Sequence, residues 1–483
     1  MIIRVDGNWA YIPELLPGCH RHLCAVLDVE EARSIAGILP IEPLAIPAHY
    51  PLYYPDGRGG YCLLAGLLPL YMELLRRAGH SATLELLPQP TLLNPVIDAR
   101  LRLDQQEAVT SILRGCRGYV RAATGYGKSA VIATLMKYFE ARRLIVVPTV
   151  RLLYQMAEDV QEWAGLSPGL VGDGNDDIRA MTIATVDTLY ERIKRGDRRY
   201  IEWLSGIEIA VFDEAHTYMN ASGITTALSL VNARYKIGMT ATPTRTKMME
   251  AIFGPLLGEY QETTLIESGV IMQPKFEFYP APPGAVTHGS FDKPFTPWLY
   301  NQLYDSVIVN NRARNALIAK HACRLIKDGY GPVLILVRKV GTTSKKKNPA
   351  SQALNVLTEL KALGTSLPII HGKSTNITDV LDQLSAGSIS GAIASEGILS
   401  LGVSIRSIGS IIMAAGGKGG VDGVSMIQKV GRALRVKEGK RNPPIIDFVD
   451  PQGWFHSQSK ARIRIATDTY GADNVTVFNL PPV

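Results

Sequence analysis

Ala122-Ala-Thr-Gly125-Tyr-Gly127-Lys128-Ser129 is the stretch on which the reading of this chain turns. It stands between an apolar run, Gly118-Tyr-Val-Arg-Ala122, and an apolar segment of helical length, Ala130 to Tyr138. Strand, glycine-bearing turn and helix, in that order, are the context in which backbone N–H groups wrap a phosphate. Gly125 and Gly127 permit the tight turn, with Thr124 and Tyr126 inside it. Lys128 would reach the β- and γ-phosphates, and Ser129 would offer a hydroxyl to Mg²⁺. Ala122 takes the place where a first glycine is usual. The bland alternative, a glycine turn before an ordinary helix, is disfavoured by the flanks.

A second apolar run, Ile207 to Phe212, ends in Asp213-Glu-Ala-His216. An acid at the carboxyl end of a parallel strand projects from the same sheet edge as the phosphate loop. Asp213 would then hold Mg²⁺ through water, while Glu214 would orient and deprotonate an attacking water. Paired acids after a strand are common in loops. The reading gains its force from the phosphate loop upstream.

Around these motifs the pattern is strands alternating with helix-length segments, which implies a parallel sheet. The candidate strands of a first set are Gly118 to Ala122, Arg143 to Val147, Met181 to Thr185, Ile207 to Phe212 and Tyr235 to Met239. Asp104 to Leu113 shows Ala108, Val109, Ile112 and Leu113 on one helical face. A second set follows Pro274: Val333 to Val337, Leu367 to Ile370, Gly391 to Ala394, Ser410 to Met413 and Pro444 to Val449. Lys345 to Lys347 reads as a surface loop within it. The region before Pro95 carries short strand-like pieces (Met1 to Val5, Cys24 to Leu27, Thr83 to Leu87) and one helix near Leu63 to Arg77. Pro88, Pro90 and Pro95 punctuate a linker. The expectation is a small α/β domain over 1–95 and two larger α/β domains over 96–262 and 263–483.

The motif set, from Leu101 to about Val449, resembles the superfamily 2 helicases of the DEAH type. Leu101-Arg-Leu-Asp-Gln105 is similar to the adenine-reading Q motif. Pro148-Thr149 resembles motif Ia, and Thr185 lies in a stretch like the next strand-contacting motif. Thr240-Ala-Thr242-Pro-Thr-Arg245 resembles motif III, which couples hydrolysis to movement; His216 would relay nucleotide state toward it. Ala394-Ser-Glu-Gly397 through Gly402-Val-Ser404 resembles motif V, with Ser404 where many relatives have Asp. Gln428-Lys-Val-Gly431-Arg432-Ala-Leu-Arg435 matches motif VI. The resemblance implies two tandem RecA-like parallel-sheet domains behind a small N-terminal α/β domain, with ATP and Mg²⁺ held where the two meet. It assigns catalytic roles to Lys128, Asp213, Glu214, His216, Gln428, Arg432 and Arg435, with Arg435 as the arginine finger. Gln105, Thr124, Gly125, Tyr126, Gly127, Lys128, Ser129 and Gly402 would contact the nucleotide, and Ser129 and Asp213 the metal. A helix with a solvated basic face is the plain alternative for motif VI, and it fits Lys429 and Lys437.

In such motors the nucleic acid is held mainly through its phosphates. Thr149, Thr185 and the His371-Gly372 turn are the candidates implied, although each suits a turn or cap equally well. The details of motifs III and VI, and the ending Ile445-Ile-Asp447-Phe-Val-Asp450, resemble the UvsW-like phage helicases, a group that also holds XPB-like and type I restriction motors. That resemblance implies ATP-driven unwinding or branch migration of forked, branched or R-loop DNA by a monomer. A duplex translocase that does not separate strands, or an RNA helicase, is the alternative. Tyr50, Tyr53, Tyr54, Arg58 and Tyr61 would either wedge a base pair or pack a hairpin on its own core, and the packing role is favoured.

Composition sets wider bounds. A net charge of +7 is a mild push toward a polyanionic partner. Five scattered cysteines speak against a disulfide scaffold. Cys19-His20-Arg-His22-Leu-Cys24 has zinc-ligand residues, but too close together to surround one ion, so a turn is expected. No leader opens the sequence, and the apolar stretch from Tyr61 to Leu75 is broken by Pro69 and Glu73. A cytoplasmic protein with no membrane partner is expected, in the host cytoplasm if phage-encoded.

Overall fold

A computed structural model describes residues 1–6, 8–19, 22–27, 48–86, 90–93, 96–220, 231–242, 246–286, 290–292, 296–341, 350–372, 374, 377–396, 407–417, 424–436 and 439–478. Two compact units divide it, Met1–Ala123 with Gly127–Gln261, and Thr124–Tyr126 with Glu262–Val483.

The first unit is built on an eight-stranded sheet. Its order is Asn175–Asp176, Gly169–Gly172, Met181–Thr185, Arg143–Val147, Ile209–Asp213, Tyr235–Thr240, Arg117–Ala122 and Leu256–Tyr260. All neighbours are parallel except the first pair. The central strands read as unbroken apolar runs because both faces are covered; Ile145, Val211 and Ile237 are fully buried at paired or successive positions. Strand Ile209–Asp213 starts later than the apolar run suggests, because Ile207 N–H bonds to Leu204 O and closes the turn after helix Arg198–Ser205. Asp213 thereby becomes the last strand residue. The strands Gly169–Gly172, Asn175–Asp176 and Leu256–Tyr260 carry no apolar signature. Asn175–Asp176 and Leu256–Tyr260 are the sheet's two edges, Gly169–Gly172 lies next to the first of them, and Leu256–Tyr260 is bulged between Leu256 and Gly258.

The N-terminal module is a five-stranded sheet ordered Tyr53–Pro55, Tyr61–Leu64, Trp9–Ile12, Ile2–Asp6 and Thr83–Leu86, antiparallel but for the last pair. One helix from Leu63 to Arg77 is therefore corrected. Tyr61–Leu64 pairs with Trp9–Ile12, a 3₁₀ turn spans Ala65–Leu67, and the α-helix is Leu68–Arg77. Pro69 falls in that helix's first turn, where its missing N–H costs nothing. The tyrosines pack on the module itself: Tyr53 meets Tyr61 edge-on at 5.7 Å and Trp9 meets Tyr54 at 5.4 Å. Asp56 Oδ1 accepts from the N–H groups of Arg58 and Gly60 and shapes the turn between these strands. Cys19 is buried, and its carbonyl accepts from His22 and Leu23 N–H; His20 lies outside the described residues. Gly66 seats the module on the first unit's helix Thr246–Phe253, where a Cβ would stand 2.1 Å from Glu250 O.

The second unit has seven parallel strands, ordered Ile369–Ile370, Gly391–Ser395, Val333–Val337, Ser410–Met413, Pro444–Val449, Lys275–Pro280 and Val475–Val477. Lys275–Pro280 and Val475–Val477 add to the expected set. The acids of the Ile445–Asp450 segment are structural here. Arg462 of helix Gly453–Tyr470 meets Asp447 bidentately at 2.7 and 3.0 Å, and Arg314 of helix Arg312–Lys327 meets Asp450 at 2.8 Å, all buried. The Lys345 tract lies outside the described residues. The chain thus has the two-sheet α/β architecture of RecA-like motors behind a small α/β module. Among the described residues no helix is long and apolar enough to cross a membrane.

Candidate active site

Four motifs of the first unit converge on the carboxyl edge of its sheet. The topology explains why: Tyr235–Thr240 lies between Ile209–Asp213 and Arg117–Ala122, all parallel, so their ends emerge side by side.

After Ala122 the chain turns with φ of 95° at Gly125 and 91° at Gly127, left-handed values that glycine adopts without strain. Gly127 caps helix Lys128–Met136, which Ser129 also opens. Space constrains it too, since a Cβ at Gly127 would come within 2.6 Å of Gln105 Nε2. Gln105 stands in the first turn of helix Leu103–Gly115, buried. Its Oε1 accepts from the Arg102 backbone N–H at 3.0 Å, one half of a capping box, which turns the amide nitrogen toward the glycine loop.

Lys128 Nζ lies 3.4 Å from Glu214 Oε1. Glu214 has φ of 50°, uncommon for a residue with a side chain. The turn is held by Glu214 N–H donating to Asp213 Oδ1 at 3.0 Å and by Thr217 donating its N–H and its hydroxyl to Glu214 O, each at 2.9 Å. Tyr218, which sequence reasoning missed, anchors the strand end: its buried hydroxyl donates to Asp213 O at 2.7 Å and Val146 O at 3.2 Å. Its spacing from Asp213 was the only signal for it, and spacing alone does not reveal a 3₁₀ turn.

His216 Nδ1 sits 2.8 Å from Thr240 Oγ1 and 3.6 Å from Glu214 Oε2. Thr240 Oγ1 also accepts from the Thr242 N–H at 3.2 Å. Burial lowers the His216 pKa below its ordinary value; Glu214 opposes the shift and Lys128 adds to it. The ring is therefore neutral at pH 7 and serves as a hydrogen-bonding link.

The remaining candidates are placed differently. Thr149 caps helix Val150–Ala164, its hydroxyl accepting from Leu152 N–H at 3.4 Å. Thr185 is buried at the start of helix Val186–Lys194 and donates to Thr188 Oγ1 at 2.8 Å. His371 and Gly372 form a turn closed by Ser374, whose Oγ accepts from His371 N–H at 2.9 Å; Gly372 is exposed. Helix Val424–Ala433 carries Gln428 and Arg432, whose side chains lie outside the described residues, as does Gly402 with most of its motif. Arg435 follows that helix, bridges to Ile271 through its backbone, and accepts from Lys440 Nζ at 3.1 Å on its carbonyl. Lys429, which fitted a solvated basic face, is instead buried and paired with Glu396.

Residues 98–245 match the family described as type III restriction enzyme, res subunit. The chain is 30% identical over 172 residues to the DNA 3'-5' translocase XPB2 of Sulfurisphaera tokodaii, an alignment covering 36% of this chain and 37% of that protein. It is 25% identical over 372 residues to the ATP-dependent DNA helicase uvsW of Enterobacteria phage T4, covering 72% of this chain and 68% of the relative. The structure of the ATP-dependent type ISP restriction-modification enzyme LlaBIII bound to DNA matches at a TM-score of 0.53 and 15% identity, over 76% of this chain and 30% of that one. That likeness speaks to fold alone. With the phosphate-loop stretch, the acid tetrad and the paired parallel sheets in one order along the sequence, the chain is similar to the superfamily 2 helicases, its family match lying over residues 98–245.

Proposed function

We propose that the chain is an ATP-dependent DNA helicase that unwinds or branch-migrates forked, branched or R-loop DNA, acting as a monomer. The approach of Lys128 Nζ to Glu214 Oε1 at 3.4 Å carries the reading, because it brings a phosphate-seeking cation and a water-activating carboxylate to one point. Ser129 and Asp213 supply a hydroxyl and a carboxylate at the same sheet edge, hard oxygen donors that suit Mg²⁺. When bound, Mg²⁺ would neutralise charge on the phosphate oxygens.

In this reading Lys128 and the N–H groups of the glycine turn bind the triphosphate, and Gln105 steadies that turn. Glu214 orients a water and accepts its proton. Arg435, with Arg432 and Gln428, supplies positive charge for the transition state. Thr149, Thr185, His371 and Gly372 are the proposed contacts to the nucleic-acid backbone. Thr185, with its hydroxyl already engaged, is the weakest of the four.

DNA as the track is supported by the names of the relatives, a DNA helicase and a DNA translocase. Likeness to the translocase favours a second reading, movement on duplex without strand separation. A single panel tests both: ATPase stimulation by single-stranded, duplex, forked and four-way DNA and by RNA, with strand displacement followed on the forks and junctions. Stimulation greatest on branched DNA with strand displacement is expected. Stimulation by DNA with every junction left intact would replace the helicase by the translocase, and preference for RNA would remove both.

A further inference from the structure

Strand Gly169–Gly172 runs parallel to Met181–Thr185, so Gly172 emerges beside Thr185 at the carboxyl edge of the first sheet. The chain then reverses over Asp173-Gly174 and returns as Asn175–Asp176, antiparallel to the strand it left. Asp173 has φ of 52° and Gly174 of 81°, the left-handed pair that a two-residue hairpin turn requires.

Close packing fixes this hairpin. A Cβ on Gly172 would stand 2.8 Å from Thr185 Oγ1 and 3.3 Å from Leu153 Cδ2. Asp176 accepts from the Tyr200 hydroxyl at 2.6 Å and from Arg199 Nη1 at 3.1 Å. Tyr154, in the second turn of helix Val150–Ala164, is bonded to the turn itself. Its hydroxyl donates to Asp173 Oδ2 at 3.0 Å and accepts from Asn175 Nδ2 at 3.1 Å. The same amide donates to Gly172 O at 3.0 Å. Two hydrogen bonds at the far end of the side chain leave the ring few orientations, yet 41% of the residue is open to solvent. An exposed side chain usually loses rotamer freedom when a ligand arrives, and here the hairpin has already ordered it. Arg151, exposed, stands three residues earlier on the same helix face.

We infer that the exposed ring of Tyr154 is a stacking platform for a base of single-stranded DNA, with Arg151 beside it for a neighbouring phosphate. This rests on the DNA-dependent activity proposed above, and it adds a base contact to the phosphate contacts proposed at Thr149 and Thr185. A π-face accepts every base, so the contact suits a motor that must pass any sequence. Asp173 engages the hydroxyl end of the ring and not its face.

Fluorescence anisotropy of a labelled single-stranded oligothymidylate on the full chain tests the platform, beside the same backbone carrying abasic sites. Affinity for the base-bearing strand should fall about tenfold in Tyr154→Ala. Tyr154→Leu, which fills space without a π-face, should fall as far. Tyr154→Phe keeps the ring, loses both hydrogen bonds and should lose less. On the abasic strand the parent and Tyr154→Leu should bind alike. Arg151→Gln should weaken both strands to the same degree and flatten the salt dependence. Circular dichroism matching that of the parent shows that a weaker contact is not a lost fold. Equal losses in Tyr154→Phe and Tyr154→Leu would make the hydroxyl a structural brace and overturn the platform. A Tyr154→Leu loss that persists on the abasic strand would do the same. A parent chain that binds no DNA would instead remove the DNA-dependent reading on which the platform stands.

Discussion

His216 Nδ1 and Thr240 Oγ1 lie 2.8 Å apart, so the tetrad at the end of strand Ile209–Asp213 is bonded to the end of its neighbour, Tyr235–Thr240. Through Thr240 Oγ1 the bond continues to the Thr242 N–H. A change at Glu214, 3.6 Å from the same imidazole nitrogen, thus has a short polar route into the segment that follows Thr240.

Thr240→Val removes that hydroxyl and keeps the shape. Strand displacement per ATP hydrolysed should fall by about tenfold, the size of a typical coupling energy, while nucleotide affinity stays near that of the parent. Parallel measurement of ATP turnover and fork unwinding checks it; a loss confined to nucleotide affinity would contradict the link.

Glu214→Gln keeps the volume and removes the base. ATP should still bind, with turnover reduced by about 10²–10⁴. Arg435→Ala should cut hydrolysis by about 10³ or more, again with nucleotide affinity largely kept. Equilibrium binding of a fluorescent nucleotide beside steady-state turnover separates the two quantities. Normal turnover in either variant removes that residue from the chemistry.

Arg462→Met should destabilise the second unit by about 3–5 kcal/mol, because Asp447 is left charged and fully buried. Adding Asp447→Leu should recover much of the loss, since two apolar side chains leave no uncompensated charge. Urea denaturation of the single and double variants measures both values.

Acid should weaken the second unit through His321. Burial, with Arg324 adding and Glu277 opposing, pushes its pKa down from 6.5 to about 4. Between those values the unfolded chain binds the proton and the folded chain does not. The contribution of the neutral ring is therefore full above pH 6.5 and is lost as pH falls toward 4. His321→Phe keeps a ring against Tyr279, whose centroid lies 4.1 Å away, and should flatten that loss. Denaturation midpoints across this pH range decide it; an unchanged slope would exclude His321 as a source.

The sequence alone determined what local chemistry dictates. Arg143–Val147, Met181–Thr185, Val333–Val337 and Pro444–Val449 were legible to the residue, because strands covered on both faces must be apolar throughout. The glycine turn before Lys128 and the strand ending at Asp213 were legible because left-handed turns select glycine and an acid ends a buried apolar run. Edge strands such as Leu256–Tyr260 and Val475–Val477 were not, since their identity lies in a neighbour's hydrogen bonds and not in their own pattern. The helix expected from Leu63 broke at Leu64 for the same reason: Tyr61–Leu64 has a partner in Trp9–Ile12. Only the tertiary structure decided that Tyr218 pins Asp213 and that Asp447 and Asp450 meet Arg462 and Arg314. It also set Asp173 and Asn175 on the hydroxyl of Tyr154. Each of these joins residues distant along the chain or turned by the backbone, and periodicity carries information only about the face a residue occupies, not about what meets it there.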